Sequence, residues 1–221
     1  AVVAIEANRR QPYAPKAGAG ARHSVETWGK GRGVSRVQRI KGSSTAAQSP
    51  NNVGGRRAHP PKVEKDLGKK INRKELLLAK MSALSATGRA ELVKARGHQF
   101  KDELTVPVVV KDDIESVSTT KEAVEALESI GIYDDVARAA EGKRIRAGRG
   151  KMRGRRYRVP KSLLVVLSSE CEGERSLRNL PGVDVVTPLQ LNASMLAPGG
   201  DPGRLMVVSE KALGAIGGWA R

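Results

Sequence analysis

The sequence predicts an α/β fold: a mostly parallel sheet with helices on both faces, broken by long basic loops. Short apolar runs, continuous at 163–167 and 205–208 and broken by Asp184 at 183–186, alternate with helix-like stretches, the pattern of strands buried on both sides. Phe, Trp and Tyr make up only 3% of the chain, so the core is built from Val, Leu, Ile and Ala. The positive charge is confined. Residues 1–70 carry 15 Lys+Arg against 4 Asp+Glu and residues 141–161 carry 10 against 1, in a chain of net charge +17.

Taken in order, residues 1–8 read as the end of a helix that Gln11-Pro12 stops. From Pro12 to about Lys70 neither period persists, and glycines lie scattered among Pro, Ser, Asn and cations. Such a segment buries too little apolar surface to offset its ordering entropy and needs a partner. Its two limbs, nearly extended, would reach roughly 80 Å at ~3.3 Å per residue. Asn72 opens a helix, with Glu75 in capping-box spacing, that runs to Gly88. A second short helix ends at Arg96, and 106–110 is a buried-strand candidate. Thr119 or Thr120 caps a helix through Ile130, which Gly131 ends. After the basic block come strand 163–167, helix 175–180, strand 183–186, helix 189–195, strand 205–208 and helix 210–216.

One cysteine, Cys171, excludes an internal disulfide and a Cys-based zinc site and points to a reducing compartment. No apolar run approaches the ~18 residues of a membrane span. The start, in the middle of an apolar run and without an initiator Met, leads us to expect further chain upstream. No aromatic pattern suited to base-stacking sheets is present. Catalytic constellations are missing as well: there is no Gly-x-Ser-x-Gly elbow and no His-Glu-x-x-His. Asp112-Asp113 reads as a helix cap, and acidic neighbours raise the pKa of Cys171.

Three motifs carry the charge. Trp28-Gly29-Lys30-Gly31-Arg32-Gly33, continuing to Arg36 and Arg39, places arginine forks on a backbone able to approach phosphates. Gly54-Gly55-Arg56-Arg57-Ala58-His59-Pro60-Pro61-Lys62 joins a close-approach diglycine to an extended proline pair. Gly148-Arg149-Gly150-Lys151-Met152-Arg153-Gly154-Arg155-Arg156-Tyr157-Arg158 concentrates cations that repel one another without a counter-charge. The alternative readings are a flexible linker for the first and a solvated loop for the third. A polyanion fits all three, because linkers seldom hold a cation at every second or third position.

These motifs, in this order, resemble the large-subunit ribosomal protein four family in its archaeal and eukaryotic form. Ala7-Asn8-Arg9-Arg10-Gln11-Pro12-Tyr13, Arg96-Gly97-His98, Asn179-Leu180-Pro181-Gly182-Val183-Asp184-Val185 and Pro202-Gly203-Arg204-Leu205 extend the likeness across the chain. The resemblance implies a Rossmann-like globular domain over 1–17 and 63–221 and a long extended internal loop over 18–62 that penetrates ribosomal RNA. It also implies a basic loop over 141–161. The RNA-facing residues are then Arg9, Arg10, Arg22, Lys30, Arg32, Arg36, Arg39, Lys41, Arg56, Arg57, His59, Lys62 and Lys65. In the second loop they are Arg146, Arg149, Lys151, Arg153, Arg155, Arg156 and Arg158, with Lys30, Arg32, Arg36 and Arg39 nearest the nascent-peptide exit tunnel. The implied partners are large-subunit ribosomal RNA, neighbouring large-subunit proteins including the number twenty-two family, and the nascent polypeptide. The implied setting is a cytoplasmic ribosome, with no cofactor, metal, membrane or catalytic role. Two rivals stand beside this reading: a free-standing nucleic-acid-binding or messenger-regulating protein, and a nucleotide-dependent enzyme suggested by the parallel sheet alone.

Overall fold

The computed structural model describes residues 1–101 and 103–220, with the side chain of Ala220 left aside. The chain forms two compact units: Ala7–Gly68, and Ala1–Glu6 together with the chain from Lys69 onward.

The elements follow in chain order. Helix α1 is Val2–Asn8. The two-residue strands β1, Val25–Glu26, and β2, Arg39–Ile40, pair antiparallel. Then come α2, Arg73–Thr87, α3, Ala90–Ala95, and β3, Val108–Val110. A 3-10 turn, Asp112–Ser116, precedes α4, Thr120–Ile130, and α5, Tyr133–Glu141. Strands β4, Arg144–Ile145, and β5, Tyr157–Arg158, form an antiparallel ribbon. The chain closes with β6, Leu164–Val166, α6, Glu172–Arg178, β7, Asp184–Val186, α7, Ala193–Leu196, β8, Met206–Ser209, and α8, Glu210–Gly217.

Strands β3, β8, β6 and β7 lie side by side in that order, every neighbouring pair parallel. Side chains of a strand alternate between faces, and here the two faces feed two separate cores. Leu163, Val165, Leu167, Leu205 and Val207 pack with Leu127, Ile132, Val136 and Leu177. Leu164, Val166, Met206 and Val208 pack with Leu191, Leu196, Ala212 and Ile216. This is why β6 and β8 read as unbroken apolar runs.

Several sequence expectations need correction. Asn72 has the extended backbone of a cap, but its side chain accepts no bond, so the Asn72–Glu75 box does not form. Strand β3 starts two residues later than expected and is an edge strand, leaving Val109 46% exposed. The helix expected over 189–195 shrinks to α7. Asn192 sits in the middle of that stretch, and its Oδ1 accepts from the backbone N–H groups of Ser194 and Met195, so it starts the helix there. Helix α5 was not anticipated. By contrast α4 forms as read, with a reciprocal Thr119–Glu122 box and Gly131 left-handed at φ 84°.

Buried polar groups tie the layers together. Arg204 is fully buried and donates to the carbonyls of Ser162, Leu163 and Met195, each at 3.0 Å. It also pairs with Asp184 at 2.7 Å. Asp135, equally buried, accepts from the Gln99 backbone and Arg138 and lies 2.9 Å from His98 Nδ1.

Candidate nucleic-acid interface

Residues 7–68 have almost no interior; only Ala7 and Ala47 are buried. Hydrogen bonds and close backbone approach order them instead. Within this unit β1 and β2 bring Val25 opposite Ile40 and Glu26 opposite Arg39. Across residues 27–38 the Thr27 hydroxyl donates to the Arg36 carbonyl at 3.2 Å. Arg39 donates to the carbonyls of Ser44 at 2.6 Å and Ser35 at 3.3 Å, and its guanidinium lies 4.9 Å from the Trp28 ring centroid. Arg32 lies 5.7 Å from the same ring. A guanidinium over an indole face is attracted by the ring quadrupole. Arg39 therefore braces the turn that carries Lys30, Arg32 and Arg36.

Further back, Gln48 clasps the two limbs. Its Nε2 donates to the carbonyls of His23 at 3.0 Å and Ala21 at 3.2 Å, and its own carbonyl accepts from the Arg56 N–H at 3.3 Å. Gln48 does this at φ 66°, a left-handed conformation unusual for a non-glycine residue. The limbs meet where no side chain fits: a Cβ on Gly20 would lie 2.5 Å from the Arg56 nitrogen, and one on Gly55 1.9 Å from the Ser49 carbonyl oxygen. We predict that Gly55→Ala opens the clasp and speeds proteolytic cleavage within 18–62 several-fold, while the thermal transition of the sheet is unchanged. Limited proteolysis with mass mapping checks this, and an unchanged cleavage rate refutes it.

The second basic segment is a ribbon. Arg144 faces Arg158 and Ile145 faces Tyr157, and the pairing continues through Arg146 N–H to the Arg156 carbonyl at 2.9 Å. Alternation places Arg144, Arg146, Arg156 and Arg158 on one face, with Ile145 and Tyr157 on the other. Like charges directly opposite destabilise a strand pair. Lys143 and Arg156 lie 4.7 Å and 5.6 Å from the Tyr157 ring.

All the residues expected to face RNA are exposed except Arg39, which is partly buried. The structure gathers those of the first segment in the unit Ala7–Gly68 and those of 146–158 on the ribbon and its connecting turn. Sequence reasoning missed the bracing role of Arg39 and the clasp made by Gln48.

The carboxyl end of the sheet is built differently. Parallel sheets of this kind hold phosphates there. Here Glu115 accepts from Ser168 N–H, the Ser168 hydroxyl and the Ser209 hydroxyl, all at 2.7 Å. Burial opposes its charge, but these donors and Lys211 prevail and hold the carboxyl below its ordinary range. A fixed carboxylate at that position repels a phosphate. Asp112, the first residue of the 3-10 turn, accepts from the Lys211 N–H at 3.1 Å, so its carboxylate serves the first turn of α8, which Ser209 caps. Burial first, then Glu115 and Glu174, push the Cys171 thiol up, the direction expected though not from the expected neighbours Glu170 and Glu172. Among the described residues no group of His, Cys, Asp and Glu is arranged to hold a metal, and no helix is long and apolar enough to cross a membrane.

Fold and surface together define a basic α/β protein with a two-sided core and two hydrogen-bonded segments, 7–68 and 144–158, that concentrate its positive charge. The chain belongs to the ribosomal protein L4/L1 family, whose model matches residues 1–219. It is 52% identical over 213 residues to the large ribosomal subunit protein uL4 of Methanococcoides burtonii, covering 96% of this chain and 83% of that one. It is 49% identical over 219 residues to the protein of the same name from Archaeoglobus fulgidus, covering 99% and 86%. For that of Aeropyrum pernix the figures are 53% over 211 residues, 93% and 76%. The family is of archaeal type here, and it is structural rather than enzymatic.

Proposed function

We propose that this protein is a structural constituent of the large ribosomal subunit that binds large-subunit ribosomal RNA and supports its assembly. The observation that carries the reading is the exposure of the predicted cations on two segments, one of which has almost no core of its own. Cations on such loops neutralise phosphates that would otherwise hold RNA helices apart, and counterion release drives association. Recognition is then of backbone and shape more than of base sequence. In this reading residues 18–62 form the RNA-penetrating loop, and the turn bearing Lys30, Arg32 and Arg36, braced by Arg39, reaches the nascent-peptide exit tunnel. Its neighbours there are a protein of the number twenty-two family and the passing polypeptide, in a cytoplasmic ribosome.

Co-sedimentation with large subunits through a high-salt wash tests this. The full chain is expected to stay bound, whereas a variant with 18–62 replaced by a short Gly-Ser linker folds but fails to remain. If the full chain washes off like an adventitious basic protein, the proposal is overturned.

A further inference from the structure

The limbs that the clasp holds together also enclose a space. Residues 14–21, 54–57 and 60–64 line a hollow of about 860 Å³, within the size range of small-ligand sites, roughly 300–1,000 Å³. Its wall combines Pro15 and Pro60 with the cations Lys16, Arg56, Arg57 and Lys62. A single acid, Glu64, stands among them, so the balance of charge is strongly positive.

We infer that this hollow receives one unpaired nucleotide extruded from an RNA helix. The base lies against the proline and alanine wall, and the arginines and lysines hold its flanking phosphates. The inference rests on the RNA-binding reading above and names a site within it. Three independent features support it. The charge is complementary to phosphate while the remaining wall is apolar, which is the composition a base and its phosphate need together. The wall is pre-built: the Gly20–Arg56 crossing and the left-handed Gln48 fix its rear edge before any partner arrives. A paired helix is too wide to enter between two single runs of chain, whereas splayed-out bases are the usual target of sequence-selective RNA recognition. With no aromatic residue lining it, the hollow offers no stacking ladder, and it accommodates one nucleotide rather than a strand.

The test uses the full chain and two RNA hairpins of equal length and charge, one with an uninterrupted stem and one with a single bulged 4-thiouridine. The bulged hairpin is expected to bind about tenfold more tightly, the preference one well-placed base contact supplies. Irradiation is expected to cross-link the bulge to peptides from 14–21 or 54–64. Ala17→Leu, which narrows the hollow without changing charge, should abolish the preference and leave affinity for the uninterrupted hairpin unchanged. Equal binding of both hairpins by the unaltered chain, or cross-links confined to other segments, overturns the inference while the RNA-binding reading stands. If neither hairpin binds at low salt, both fall. Saturation by adenosine monophosphate alone below ~100 μM would assign the hollow to a free nucleotide and also overturn the inference.

Discussion

Asp184→Ala is expected to lower the unfolding free energy by about 3–5 kcal/mol, the usual consequence of leaving a buried charge without its counter-ion. Arg204 is the largest fully buried side chain described, and Asp184, 2.7 Å away, is the carboxylate that balances it. Lys161 also reaches Asp184, at 2.8 Å, but it is half exposed and keeps its water, so removal of the carboxylate strands Arg204 alone. Urea unfolding followed by far-UV circular dichroism measures the loss; a change below about 1 kcal/mol would show that the Arg204 carbonyl acceptors suffice without the ion pair. The pH dependence adds a second check. Burial opposes the charge on Asp184, but Arg204 and then Lys161 prevail and hold its carboxyl below the ordinary range. A carboxyl depressed in the folded state contributes stability above its unfolded pKa and loses that contribution as pH falls through the folded value. The unaltered protein should therefore lose stability more steeply than Asp184→Ala as pH falls below about 4. Asp135 is depressed in both proteins, so the difference between the curves belongs to Asp184.

Replacing Arg144, Arg146, Arg156 and Arg158 together by glutamine is expected to cost two to three orders of magnitude, roughly, in RNA affinity at physiological salt. The slope of log K against log salt should fall by about 3, at ~0.7–0.9 per phosphate contact. The same change removes the Arg144–Arg158 repulsion across the ribbon, so the free protein should be no less stable. The combination separates a binding face from a structural one. Filter binding across a salt series, with a thermal melt of each protein, reads both. An unchanged slope would remove the ribbon from the RNA interface.

Where a signal is local, the sequence reveals it. Thr119 or Thr120 and Gly131 mark the two ends of α4; the left-handed end appears as read, and the Thr119–Glu122 box decides the cap between the two threonines. The continuous apolar runs identify β6 and β8 because both faces of the sheet are covered. Helix α5 escaped because one of its buried positions is Asp135, which no hydrophobic period includes; its burial depends on His98, 37 positions away. Arg204 and Asp184 stand in two motifs of the family resemblance, yet nothing local says that they meet. The candidate interface divides in the same way. Its cations are visible as composition, because polyanion binding needs residue type more than placement. Its architecture is hidden: Gln48 carries no turn signal, and the stack of Arg39 on Trp28 depends on a hairpin whose strands are two residues long.

The sheet itself is electrically lopsided. Strands β3, β6 and β8 run in one direction and lead into Asp112, Asp113, Glu115, Glu170, Glu172, Glu174 and Glu210, whereas the arginine ribbon enters β6 from the opposite edge. Within this unit the charges form a dipole, positive at the ribbon and negative at the end that holds Glu115. An anionic probe is therefore drawn to the one end of the sheet and repelled from the other.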